Sequence, residues 1–134
     1  MISARKGTLL LASMVLGGGL ALGPAATSQA AAAGYSCNER VSNGYLYMGN
    51  SNTMTTNTER GQTGPRVAEV QCLLEFWAWY FQAPEFDPHG HDGSFGPNTE
   101  RAVINAQKAL FPDQPAEWDG EVGPKTWPAI RSIS

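Results

Sequence analysis

Three times from position 64 onward, a Gly-Pro pair heads a run of apolar residues at helical spacing: Gly64-Pro65, Gly96-Pro97 and Gly123-Pro124. Proline suits the first position of a helix, where its missing N–H costs nothing, and glycine tolerates the cap before it. The first run predicts a helix from about Pro65 to Tyr80, with Val67, Val70, Leu74, Trp77 and Phe81 on one stripe. The second predicts a helix from about Pro97 to Leu110, with Thr99, Val103, Ala106 and Leu110 inward and Pro112 stopping it. The third is short, from Pro124 to about Ile133, with Trp127, Ile130 and Ile133 inward. No strand signal competes there, so residues 61–134 read as an all-α, three-helix domain.

The chain before these helices has a different texture. Gly34 to Gly64 is polar and poor in aliphatics, and Asn, Ser, Thr and Gly dominate Asn50 to Thr63. Residues 31–60 are therefore expected to be a loop-rich N-terminal extension, with a short hairpin around Ser42-Asn43-Gly44. It is too polar to fold alone. Residues 1–30 read as a secretory signal peptide. Arg5 and Lys6 precede the apolar run Thr8 to Leu22, then come Gly23-Pro24 and an Ala-rich stretch with cleavage expected after Ala30, Ala32 or Ala33. The run is short and Gly-rich for a membrane span, which takes about 20 apolar residues; an uncleaved anchor is the alternative.

Cleavage after residue 30 of 134 leaves 104 residues, enough for one domain with a modest core. Arg5 and Lys6 leave with the signal, so seven basic residues face twelve acidic ones and the net charge moves from −3 to −5. That balance suits neither nucleic acid nor anionic lipid, both of which reward clustered Lys and Arg. The expected protein is an exported monomer with no nucleic-acid partner and no membrane association after cleavage. Its two cysteines, Cys37 and Cys72, are expected to form one disulfide in an oxidising compartment. A reactive thiol or a metal site is the alternative, disfavoured by the lack of any CxxC pattern.

A repeat lies within the helical part. Asp92-Gly93-Ser94-Phe95-Gly96-Pro97-Asn98-Thr99 matches Asp119-Gly120-Glu121-Val122-Gly123-Pro124-Lys125-Thr126. Asp-Gly favours a tight turn with glycine at positive φ. Phe95 and Val122 can then plug the core ahead of each helix, and Thr99 and Thr126 can satisfy free amides in the first turn. These blocks, together with Val67-Ala68-Glu69-Val70-Gln71-Cys72-Leu73-Leu74 before them and Ala102-Val103-Ile104-Asn105-Ala106-Gln107 and Trp127 within them, resemble the peptidoglycan-binding-domain-1 family. The likeness runs from about Gly61 to Ile133. It implies a small bacterial wall-binding module with a shallow groove for the glycan or the stem peptide. Val70 stands where the family usually has Leu, and Ala106 where it usually has Phe. Both connections between helices are longer than usual.

Candidate chemistry is sparse. Phe76-Trp77-Ala78-Trp79-Tyr80-Phe81 is aromatic all round, while a helix buries only one stripe. Trp79 and Tyr80 are the sugar-stacking candidates, since aromatic faces pack on the apolar faces of sugars; cover for a loop or for the N-terminal segment is the alternative use. Asp92 and Asp119 have the composition of a paired-carboxylate site, but turn chemistry accounts for both. His89-Gly90-His91-Asp92 is a weak metal signal without further ligands. His91, Asp92 and Ser94 crowd one turn too closely for a triad. No catalytic residue, cofactor or metal is expected. The predicted function is non-catalytic binding of peptidoglycan, with a protein partner as an addition. The alternative is a secreted interaction or inhibitor module that reuses the fold.

Overall fold

The three proline-led runs are helices. The computed structural model describes residues 34–133, so the expected signal peptide lies outside the described part. Helix α1 is Pro65–Tyr80, α2 is Pro97–Leu110 and α3 is Thr126–Arg131. Short 3-10 turns at Pro84–Phe86 and Pro115–Glu117 sit in the connections. Among the described residues, no helix is long and apolar enough to cross a membrane.

Helix α3 is shorter than its spacing suggested at both ends. Val122 is held in extended pairing, with Thr58 N–H on Val122 O at 3.0 Å and Val122 N–H on Thr58 O at 2.8 Å. Pro124 and Lys125 then form a turn before the helix begins. At its far end Ser132 bridges to Tyr45, and Ile133 N–H reaches Gly44 O at 3.2 Å. Strand-like pairing to the N-terminal segment thus claims the backbone on both sides of α3.

The expected hairpin is present. Strands β1 (Arg40–Ser42) and β2 (Tyr45–Tyr47) pair antiparallel, with Val41 opposite Leu46. Asn43 and Gly44 at the turn both have positive φ, 52° and 82°. That is the primed geometry whose twist matches the strands, and Asn-Gly adopts it readily. Leu46 faces inward and joins Met48 in the hydrophobic core.

These two residues explain the burial of α1. From Val67 to Leu74 every residue of the helix is buried, polar ones included. A surface helix would show a dry stripe and a wet one. Here the N-terminal segment covers the side that α2 and α3 leave open. Cys37–Cys72 fastens that cover, with Cα atoms 5.5 Å apart across a sequence separation of 35. A loop of this length stabilises by roughly 3–4 kcal/mol on the chain-entropy model.

Burial all round leaves Glu69 without water. Its carboxylate accepts from the backbone N–H groups of Met48 at 2.8 Å, Asn50 at 2.9 Å and Ser51 at 3.2 Å. Arg131 Nη1 completes the set at 2.6 Å, and both side chains are fully buried. Arg131 in turn donates to the carbonyls of Leu46, Ser51 and Thr53. Its guanidinium lies over the rings of Tyr47 and Trp127, 4.5 and 4.9 Å from their centroids.

The last member of each predicted stripe is exposed: Phe81 at 60%, Leu110 at 39% and Ile133 at 43%. Each lies at or just beyond the C-terminal end of its helix, where the three ends line one cleft and, among the described residues, no further element covers them.

Removing one member of a buried ion pair strands the other charge, at a cost of about 3–5 kcal/mol. Arg131→Met should therefore lower the unfolding free energy by about that amount in urea titrations. A loss below about 1 kcal/mol, the range of exposed pairs, would show that the pair does not hold the cover.

Candidate functional site

The repeated turns are built by one device used twice. Gln71 on α1 sends Nε2 to Asp92 Oδ1 at 3.2 Å, Ser94 O at 3.1 Å and Thr99 Oγ1 at 3.0 Å. Its Oε1 accepts Gly93 N–H at 2.9 Å. Gln107 on α2 repeats the pattern with Asp119, Glu121 O, Thr126 and Gly120 N–H. Thr99 and Thr126 therefore serve as buried acceptors for glutamine. They do not cap amides as expected, and no side chain caps α1 or α2. Asp92 and Asp119 each also accept the amide two residues on, closing their own turns. Gly93 and Gly120 have φ of 76° and 78°. A Cβ at Gly93 would also strike the Tyr35 ring. Phe95 and Val122 are buried plugs, as the sequence indicated, while Gly96 and Gly123 stand just ahead of the prolines. These residues build turns and leave their carboxylates engaged.

The open feature lies at the other end of the helices. A cleft of about 760 Å³ forms where the helix C-termini and the hairpin meet. Helix α1 brings Trp77 and Tyr80 to it, followed by Phe81; α2 brings Ala106 and Leu110; Ile133 comes after α3. Its size is that of a small-molecule site, and its walls are mostly apolar with Glu39 and Ser132 among the lining. Trp77 is fixed in place, its Nε1 donating to Ile130 O at 2.6 Å. Trp77 and Phe81 stack with centroids 5.4 Å apart, and Tyr80 meets both rings edge-on.

Ala106 explains why the cleft is there. It occupies the position at which the resemblance expects Phe, and it lines the floor. Trp77 and Phe86 pack against the nearby core, yet they leave the space open.

Of the two stacking candidates, Tyr80 lines this cleft and is 59% exposed. Trp79, 67% exposed, lines a smaller hollow with Glu75, Ala78, Gln82, Ala83, Pro84 and Asp87. Their ring centroids are 6.4 Å apart. The two are neighbours on one helix end, turned toward different depressions. Phe81 is the residue that the sequence reading missed. It was placed in the core because it continues the 3.6-residue spacing, and the end of α1 at Tyr80 is what frees it. The signal that marked the cleft was the small residue at position 106.

Among the described residues, a helical domain is tied by a disulfide and wrapped by its own N-terminal segment, and an open apolar cleft gives it the form of a small binding module. Residues 63–130 match the family described as "Putative peptidoglycan binding domain", and the chain belongs to this family. No curated protein matches it. Among solved structures it resembles a peptidoglycan-binding protein from Clostridioides difficile, crystallised in complex with glutamine hydroxamate. That likeness has a TM-score of 0.51 at 24% identity, covering 65% of this chain. The chain spans 50% of the length of that protein, and the likeness supports the fold.

If the space at Ala106 is open, a phenyl ring can enter it. Ala106→Phe should change stability by less than about 1.5 kcal/mol in thermal unfolding. Ala102→Phe, at a fully buried position on the same helix, should cost about 1–3 kcal/mol by overpacking. Equal losses would mean that the cleft is not available to side chains.

Proposed function

We propose that the protein is an exported, non-catalytic module that binds bacterial cell-wall peptidoglycan through the cleft at its helix C-termini. Family membership supplies the ligand class. The observation that carries the site is the open apolar cleft rimmed by exposed Tyr80 and Phe81. Flat aromatic faces of this kind stack on sugar rings, and the aliphatic floor suits the methyl groups of a stem peptide. Export rests on the charge, apolar run and small residues of the first 30 positions. The non-catalytic reading is supported by Asp92 and Asp119, each of which commits Oδ1 to an amide of its own turn and to a glutamine of the preceding helix. A single weak cleft suffices on a polymeric wall, because neighbouring ligands raise the effective concentration.

A second reading draws on the same rim. Val41, Leu110 and Ile133 are exposed apolar residues beside the aromatics, and such patches also mark protein docking. On that reading the fold is kept and a protein partner replaces the wall.

The purified protein, co-sedimented with purified sacculi, should pellet saturably. Tyr80→Ala and Ala106→Phe should each weaken pelleting about tenfold, the loss of roughly 1.4 kcal/mol expected for one stacked ring. Trp79→Ala should have a smaller effect. Equal pelleting of all variants would move the site away from the cleft, and no pelleting would favour the protein-partner reading. Zymography on the same substrate should give no cleared band; a band would overturn the non-catalytic reading.

A further inference from the structure

The disulfide does not stand alone. His91, which the sequence offers only as part of a weak His-Gly-His pattern, folds back onto it. One ligand atom each from Cys37, Cys72 and His91 lie within 4.8 Å of one another. Glu75, one turn along α1 from Cys72, joins them. His91 Nδ1 lies 2.9 Å from Glu75 Oε1 and 3.1 Å from Oε2, and Cys37 Sγ lies 3.7 Å from Glu75 Oε1. Asn50 Nδ2 approaches Cys72 Sγ at 3.7 Å. The cluster draws on the N-terminal segment, α1 and the loop before α2.

We propose that the reduced form of the protein binds a divalent transition metal of the zinc class, using Cys37, Cys72 and His91 with Glu75 as the fourth ligand or as the carboxylate that orients His91. Two thiolates, an imidazole and a carboxylate are the donors zinc takes in tetrahedral sites. A tetrahedral ion needs its donors about 3–4 Å apart, given bonds of about 2.0–2.3 Å. The histidine and carboxylate are already near that spacing. The two sulfurs, bonded to each other in the bridge, must separate, and reduction lets them. A dithiol supplies two electrons and two protons, leaving as its own cyclic disulfide while Cys37 and Cys72 become thiols. The metal then displaces the two thiol protons. Asn50 is placed to donate an N–H to the Cys72 thiolate, the kind of outer contact that orients and tunes a ligand. Bridge and metal are thus alternative clamps at one place, exchanged by the redox state of the surroundings. The inference is independent of how the cleft is used.

Cobalt(II) is the probe. The full-length protein is reduced with dithiol, freed of reductant without air and titrated with Co(II), with the oxidised protein alongside. The reduced protein should take up one ion per chain. It should show a sulfur-to-cobalt charge-transfer band and the visible bands of a tetrahedral ion, and the oxidised protein should show neither. His91→Ala should weaken binding about tenfold or more, the scale at which even outer partners of a metal site act. Glu75→Gln should weaken it to a smaller degree. Far-UV circular dichroism follows the helices throughout. Absence of the bands in the reduced protein, folded or not, overturns the proposal. So does binding that His91→Ala leaves unchanged, since two thiolates alone would then account for it.

Discussion

A carboxylate shut away from water needs a partner on every oxygen, and the tertiary structure is arranged around meeting that need for Glu69. Three backbone amides from the N-terminal segment and one guanidinium from the C-terminal helix converge on it. The amides belong to a stretch too polar to fold by itself. The guanidinium orders the same stretch from the other side by binding the carbonyls of Leu46, Ser51 and Thr53. Desolvating two charges costs several kcal/mol per ion unless geometry and hydrogen bonds compensate. Here the compensation comes from hydrogen bonds to a segment that has few apolar residues of its own.

The same logic operates at Gln71 and Gln107. Each is an amide buried between a helix and the Asp-Gly turn ahead of the next helix. An unpaired polar group there would be costly, while a fully bonded one fixes a single geometry. Each glutamine therefore sets where the following helix begins. The repeat propagates along the chain as glutamine, turn and helix, and the extended pairings of Thr58 with Val122 and Thr63 with Ser94 cover both turns. None of these bonds involves a residue that lines the cleft.

Most of the helical framework could be read from the sequence, because proline, glycine and the apolar period are local signals. Pro65–Tyr80 and Pro97–Leu110 have their predicted bounds, the Asn43-Gly44 hairpin forms, and the disulfide pairs as expected. What was not legible is long-range. Nothing local marks Arg131 as buried; as the basic residue of a short terminal helix it has the composition of a solvated end. Periodicity also placed Phe81, Leu110 and Ile133 inside. It reports which face a residue is on and is silent about where the covering ends. The sequence sets Trp79 and Tyr80 apart as candidates for stacking or for cover, and their division between two depressions emerges only from packing. His91 lies nineteen positions after Cys72 in the chain, and only the tertiary fold brings it to the bridge.

The disulfide and the buried ion pair, both anchored on α1, also define a path for mechanical load. The disulfide attaches residue 37 to position 72, and the ion pair attaches residue 131 to position 69. Positions 69 and 72 are less than one helical turn apart, about 4.5 Å along the axis at 1.5 Å per residue. Tension entering near residue 37 and leaving near residue 131 is therefore carried across a single turn of α1. The chain between 37 and 72, including the hairpin, shares that load, because Arg131 also binds the carbonyls of Leu46, Ser51 and Thr53 and Ile133 pairs with Gly44. A pull along this line meets one covalent bond at residue 72 and, at residue 131, a dry ion pair acting in parallel with hydrogen bonds to the N-terminal segment.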